Sequence, residues 1–93
     1  MVEEDDNTVY VGSKPAMSYV LAVVTQFSEG QETVHLKARG KAISRAVDVA
    51  EMVKRKFVED SEVEDIIIDT DKIDTDEGEE LDVSSIQIDI AKP

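Results

Sequence analysis

The residues best suited to bind a charged ligand lie in one segment, Lys37-Ala38-Arg39-Gly40-Lys41. Lys37 and Arg39 alternate with apolar residues in a strand-like pattern, and Lys41 follows Gly40 where a helical pattern begins. Free N–H groups and the dipole at a helix N-terminus attract phosphate, and glycine allows close approach of the backbone. Because the same dipole disfavours cations in a first turn, their presence there indicates binding rather than helix stability.

Two further cations extend this set. Arg45 lies four residues after Lys41, on the same side of the predicted helix. Lys14 lies in Gly12-Ser13-Lys14-Pro15, which opens another predicted helix but lacks the spacing of a nucleotide-binding P-loop. The competing interpretation of all these cations is an ordinary solvated surface, since charge patterning alone informs association rather than fold.

Other site chemistry is poorly supported by the composition. The chain has no Cys and one His, His35, which excludes a disulfide framework, a Cys-zinc site and a thiol nucleophile. The acidic run from Asp69 to Asp82 lacks the order of ligands in an EF-hand loop, so it favours a solvated segment over a calcium site. With no nucleophile–base pair in view, the sequence predicts a protein that is not an enzyme and needs no cofactor or metal.

Charge is distributed unevenly, although the formal net charge is −12. Residues 7–57 contain eight bases and four acids, whereas residues 58–93 contain two bases and 14 acids, and residues 1–6 contain four acids. A basic island between acidic segments is a physical argument about partners. The acidic start is unlike a secretory signal, and no apolar run reaches the roughly 18 residues of a membrane span, so we expect a cytoplasmic protein without membrane contact.

Hydrophobic periodicity supplies the elements that position these residues. Alternating or β-branched runs predict four strands, and spacings of three and four predict two helices. The predicted strands are residues 8–11, 33–39, 63–69 and 83–90, and the predicted helices are residues 15–27 and 41–57. The order β-α-β-α-β-β predicts a single α/β domain over residues 1–93, a two-layer sandwich with a four-stranded mixed sheet. Residues 1–7 are expected to be a flexible acidic N-terminus and residues 70–82 a mobile, projecting hairpin loop.

Several segments, taken together, resemble the Alba family of archaeal chromatin proteins. Residues 11–22 (VGSKPAMSYVLA) and 37–48 (KARGKAISRAVD) carry the resemblance, and residues 53–57 and 83–88 extend it over nearly the whole chain. It implies a small homodimer, or a heterodimer with a paralogue, that binds double-stranded DNA and RNA largely without sequence preference and associates with the chromosome.

The resemblance also implies roles for individual residues. The family's basic pair around the glycine matches Arg39 and Lys41, a basic helix position matches Arg45, and the second lysine of the first loop matches Lys14. Ser13 replaces the first lysine of that loop, the one associated with regulatory acetylation. An exposed aromatic that joins dimers side by side matches Phe57, although spacing alone makes Phe57 equally a core residue. With Lys37 from the strand pattern, the predicted nucleic-acid-binding residues are Lys14, Lys37, Arg39, Lys41 and Arg45.

The predicted hairpin departs from the family, whose members usually carry basic or neutral residues there. Six acids occupy it: Asp74, Asp76, Glu77, Glu79, Glu80 and Asp82. The resemblance implies that the two hairpins of a dimer reach along the minor groove of DNA, and carboxylates should be repelled by this narrow, electronegative groove. One explanation is a halophilic source, where molar salt shrinks the screening length to about 3 Å. The other is a relative that has lost duplex binding, and the alternative function is then a protein-interaction module that uses the acidic hairpin or tail.

Overall fold

The computed structural model describes residues 7–93. The expected flexible N-terminus falls on residues 1–7, and all of it except Asn7 lies outside the described residues. Six main elements follow in order: β1 (Thr8–Tyr10), α1 (Ala16–Ser28), β2 (Thr33–Arg39), α2 (Ile43–Met52), β3 (Glu62–Asp74) and β4 (Glu80–Ala91). A 3₁₀ turn, Gly40–Ala42, precedes α2, and a π-helical turn, Val53–Phe57, follows it.

The sheet is mixed and has the strand order β1-β2-β4-β3. β1 pairs parallel with β2, whereas β4 pairs antiparallel with both β2 and β3. Two helices and a four-stranded mixed sheet confirm the predicted fold class. Among residues 7–93, neither helix combines the length and the apolar character needed to cross a bilayer.

The core lies between the helices and one face of the sheet. Val34, Leu36 and Ala38 alternate inward along β2, as the period of two predicts, and they are buried. The remaining core side chains come from β1 and its C-terminal end, α1, α2, the start of the turn after α2, and β4. They include Val20, Val23, Phe27, Ala46, Val49, Val53, Ile88 and Ile90. His35, Lys37 and Arg39 therefore project from the opposite face, which we call the outer face.

The expected hairpin loop over residues 70–82 is wrong in its bounds, because most of this polar stretch is paired strand. β3 and β4 pair from Glu62 opposite Ala91 to Asp74 opposite Glu80, and the connection is only residues 75–79. An exposed two-stranded ribbon satisfies its backbone through cross-strand hydrogen bonds and needs no burial. Lys72 and Asp82 form an ion pair of 3.0 Å across the ribbon. High charge therefore marks exposure here, not the absence of a strand.

Candidate nucleic-acid interface

Both helices begin at the same end of the sheet, where β1 and β2 finish. β1 and β2 are parallel, so their C-terminal ends lie side by side, and each leads into a helix. α1 begins after Pro15, and the turn before α2 begins at Gly40, whose φ of +59° is a left-handed conformation that favours glycine. The residues at the N-cap positions, Pro15, Arg39 and Ala42, make no capping hydrogen bond with their side chains, and none of these first turns contains an acid. Two positive helix ends are therefore available to anions at one edge.

Four of the five predicted cations surround these helix starts or the strand ends that lead to them. Lys14 and Lys41 are exposed in the two loops, Arg39 is exposed at the end of β2, and Lys37 is half-buried on the outer face. We call these four residues the basic edge. Lys14 is distant in sequence from the other three residues. The parallel pairing of β1 and β2 places Tyr10 beside Lys37, and so brings the loop that follows β1 close to the end of β2.

Arg45, the fifth predicted cation, has a structural partner that its spacing did not predict. Its Nη1 donates a hydrogen bond of 2.7 Å to the carbonyl oxygen of Gly12, across from α2 to the first loop. Tyr19 fixes the same loop, because its hydroxyl oxygen accepts a hydrogen bond of 3.0 Å from the backbone N–H of Lys14. A Cβ at position 12 would lie 3.3 Å from that hydroxyl, so glycine permits this close packing.

The two contacts therefore hold the Lys14 loop to both helices. The sequence predicts that Arg45 lies one helical turn from Lys41. It does not predict the contact with Gly12, because the two residues are 33 positions apart. A guanidinium has five donors, so the hydrogen bond to Gly12 leaves others for a ligand.

The acidic hairpin meets the basic edge at one ion pair. We define the acidic hairpin as residues 70–84, which include the six acids of the tip. Arg39 Nη1 lies 3.9 Å from Asp71 Oδ2, and both side chains are well exposed. An exposed pair at this distance contributes little to stability. It does show that the base of the hairpin places a carboxylate against a residue of the basic edge.

A tighter pair joins the strand of the basic edge to the hairpin strand β4. His35 Nδ1 lies 2.6 Å from Asp89 Oδ1, and the Gln87 side-chain amide donates to the same oxygen at 3.0 Å. Partial burial of Asp89 raises its pKa. The hydrogen bonds from His35 and Gln87 and the charge of Lys37 lower it by a larger amount, so the pKa lies below its usual value. The lone histidine thus has a partner within the sheet.

The basic run Lys54-Arg55-Lys56 is separate from the basic edge and partly neutralised. Glu51 accepts from Lys54 at 2.9 Å and from Arg55 at 2.7 Å along the same helix. Hydrogen bonds from these two residues lower the pKa of Glu51. Phe57, at the end of the turn, is an exposed aromatic residue, with 42% of its surface accessible.

An uncovered apolar strip was missed by the sequence analysis. Ile66 and Ile68 lie opposite Ile88 and Ile86, so they project towards the helix side of the sheet. They remain 56% and 78% exposed because the helices do not extend over β3. We call Ile66 and Ile68 the apolar strip. Val47 of α2 is also exposed, at 43%.

The acids of the hairpin do not form a metal cluster. Over residues 7–93, no three His, Asp or Glu side chains are grouped in a way that could hold an ion. The acidic hairpin is therefore an extended, negatively charged ribbon.

Comparison with known proteins gives consistent matches. The family model described as Alba matches residues 7–70. The "DNA/RNA-binding protein Alba" of Methanocella arvoryzae is 52% identical over 89 residues, covering 96% of this chain and 93% of the relative. The "DNA/RNA-binding protein Alba 1" of Archaeoglobus fulgidus is 55% identical over 87 residues, covering 94% of this chain and 97% of the relative.

Solved structures match in the same way. Alba from Thermoplasma volcanium superposes with a TM-score of 0.86 at 47% identity, covering 91% of this chain and 99% of that one. ALBA1 from Trypanosoma brucei superposes with a TM-score of 0.77 at 25% identity, covering 97% of this chain and 72% of that one.

Proposed function

This chain belongs to the Alba family, and from that premise we propose that it binds DNA and RNA through their backbone phosphates, largely without sequence preference, and associates with the chromosome. The relatives are named for binding and not for a reaction, in agreement with the absence of a catalytic constellation from the sequence. Phosphate contacts position a protein on nucleic acid but carry no sequence information.

The observation that carries this proposal is the convergence of two uncapped helix starts and the basic edge at one end of the sheet. Backbone N–H groups, helix dipoles and lysine or arginine side chains all favour the same ligand, an oxyanion. Arg45 and Tyr19 support this arrangement by fixing the Lys14 loop before the ligand arrives, which lowers the entropy lost on binding.

We propose further that the binding unit is a homodimer formed through the uncovered apolar strip. Neighbouring exposed isoleucines on one face of a sheet are typical of a surface that another protein covers. A second copy would bury Ile66 and Ile68 and would present two basic edges to one nucleic acid. Phe57, at the other end of α2, is then available for the side-by-side contact between dimers.

Charge reversal at the basic edge tests the binding site. We expect Arg39→Glu with Lys41→Glu to weaken binding to duplex DNA roughly 100-fold at about 0.1 M KCl, equally for different sequences, as measured by fluorescence anisotropy. The matched control is Lys56→Glu with Lys92→Glu, which changes the net charge equally at positions away from the edge and should cost less than about fivefold. Equal losses in the two variants would mean that net charge, not this edge, controls binding.

Substitution in the apolar strip tests the dimer. Ile66→Asp with Ile68→Asp should yield a folded monomer by sedimentation, because charged groups would be desolvated at the interface. Thr70→Asp, in the same strand beyond the strip, serves as the control and should remain dimeric. A dimeric Ile66→Asp, Ile68→Asp variant would place the interface elsewhere.

The acidic hairpin supports a second candidate function. Its six tip acids stand on a paired ribbon that extends from the domain, where a basic protein could reach them. In that case the protein is an interaction module with little nucleic-acid binding. Absorbance at 260 nm that accompanies the purified protein and washes off in salt would favour the first function over the second.

A further inference from the structure

A groove on the outer face shares Lys37 and Arg39 with the basic edge and extends from them across the sheet. It has a volume of about 570 Å³ and receives side chains from all four strands. This volume is within the range of small-molecule sites. The residues that matter for its chemistry are Tyr10, Lys37, Arg39, Gln87, Asp69 and Asp71.

Tyr10 is the unusual member of this groove. It is 72% exposed, whereas its neighbours Val9 and Val11 are buried at 8% and 6% exposure. It lies in register with Lys37, and both project from the outer face. An exposed aromatic ring on a flat sheet beside a cation is the arrangement on which unpaired nucleobases stack in proteins that bind single strands.

We propose that this groove binds an unpaired nucleobase of a single-stranded nucleic acid, stacked on the Tyr10 ring, with the adjacent phosphate held by Lys37 and Arg39. The proposal rests on the proposed function, because those cations serve both sites. It adds a second mode of binding, since the faces of paired bases are hidden inside a duplex and cannot reach Tyr10.

The charges across the groove favour one path for the strand. Lys37 and Arg39 lie on β2, next to Tyr10, whereas Asp69 and Asp71 lie on β3, two strands further across the sheet, where Asp71 is the ion-pair partner of Arg39 at 3.9 Å. The carboxylates repel phosphate, so the backbone is kept along β1 and β2. Gln87 lies on β4 between the two sides, and its amide donates one hydrogen bond to Asp89. Its carbonyl oxygen and its second N–H are left for a base edge.

The test compares a single strand with a duplex in the full chain. The probes are an oligo(rU) of about ten nucleotides, which has little structure of its own, and a mixed-sequence DNA duplex. We expect Tyr10→Ala to weaken oligo(rU) binding about five- to 100-fold and to leave duplex binding unchanged. Tyr10→Phe should keep the single-strand affinity, because the ring that stacks is retained. Leu21→Ala, another exposed apolar side chain but on α1, is the control and should change neither.

Tyrosine fluorescence gives a second, independent measurement. The chain has two tyrosines and no tryptophan, so emission reports on Tyr10 and Tyr19 alone. Oligo(rU) should quench the wild-type emission by stacking, and Tyr10→Phe should lose that quenching while still binding.

The outcomes distinguish this proposal from the proposed function. Normal duplex binding together with unchanged oligo(rU) affinity in Tyr10→Ala would overturn the groove and leave the phosphate site intact. Absence of duplex binding in the wild type would overturn the phosphate site itself. A change of oligomeric state in Tyr10→Ala would show that a second copy fills the groove, and this too would overturn the proposal.

Discussion

The basic edge and the acidic hairpin are both exposed and charged, yet they are held in place by different means. In the basic edge, Lys37 and Arg39 stand on β2, and the Lys14 loop is held to the body of the domain by Arg45 and Tyr19. The acidic hairpin depends on cross-strand pairing and on its own side chains, as in the Lys72–Asp82 pair. The net charge of −12 therefore describes neither region, because a bound ligand responds to the electrostatic potential of the residues near it.

The distance between the two regions decides how strongly they interact. The domain is 45 Å long, whereas exposed charges are largely screened beyond about 8 Å at physiological ionic strength. Asp71 is close enough to Arg39 to weaken its attraction for phosphate, but the acids at the tip are separated from Arg39 by further residues of the ribbon. The tip should affect binding chiefly where the nucleic acid itself passes along the hairpin.

Neutralising five of the six tip acids should give the largest gain in affinity. Asp74→Asn, Asp76→Asn, Glu77→Gln, Glu79→Gln and Glu80→Gln together should raise duplex affinity about tenfold or more at low salt, because repulsion from the phosphates is removed. The gain should disappear near 1 M KCl, where the screening length falls to about 3 Å. Anisotropy titrations across this salt range provide the measurement.

A matched control neutralises acids that are exposed elsewhere. Glu29→Gln, Glu59→Gln and Asp60→Asn remove charge without touching the hairpin and should change affinity little. If both sets raise affinity by a similar amount per charge, the hairpin has no special position relative to the nucleic acid.

Releasing the Lys14 loop should have a smaller effect in the opposite direction. Arg45→Met removes the hydrogen bond to Gly12 and should weaken duplex binding about fivefold, since a bond of this kind contributes about 1 kcal/mol. Tyr19→Phe removes the bond to Lys14 and should cost somewhat less.

Comparison of two substitutions separates the tether from the charge of Arg45. Arg45→Lys retains the charge but not the planar guanidinium, so it should restore only part of the affinity if the tether matters. Full restoration by lysine would assign Arg45 to direct phosphate contact, as the sequence predicted.

The His35–Asp89 pair predicts a small effect on stability, with a defined pH dependence. Because the pKa of Asp89 is lowered in the folded state, its charge stabilises the fold above the ordinary value of 3.8. That contribution is lost as the pH falls through the lowered pKa. Asp89→Asn should therefore reduce the free energy of unfolding by about 0.5–1 kcal/mol at neutral pH.

Urea denaturation at several pH values checks this prediction. The difference between Asp89→Asn and the wild type should shrink as the pH falls below about 4. If the difference in the free energy of unfolding stays constant down to the lowest pH measured, the substitution acts through packing and not through the charge.

Much of the fold follows from local patterns in the sequence. The alternation of Val34, Leu36 and Ala38 predicted β2, and the three-and-four spacing of the second helix predicted α2. The hairpin bounds were wrong because Asp71, Lys72 and Ile73 look like a polar loop, and only pairing with residues 81–83 makes them a strand. A residue's partner in a ribbon is not a local property.

The candidate site was predictable in its residues but not in its contacts. Lys37, Arg39 and Lys41 stand out by type and position, whereas the bond from Arg45 to Gly12 spans 33 residues of sequence. The same limit applies to the apolar strip. Ile66, Ile67 and Ile68 predicted a strand, but only the extent of the helices leaves the side chains of Ile66 and Ile68 uncovered.

The salt dependence of duplex binding tests the central claim most directly. The observed binding constant should fall log-linearly with KCl, and Lys14→Ala, Arg39→Ala and Lys41→Ala together should reduce the steepness by about 0.9 for each phosphate that is no longer neutralised. A dimer has two copies of these three cations, which correspond to about six phosphates, so the triple substitution should make the slope less steep by about 5. A slope that stays at the wild-type value in the triple variant would contradict the claim that the basic edge holds the phosphates.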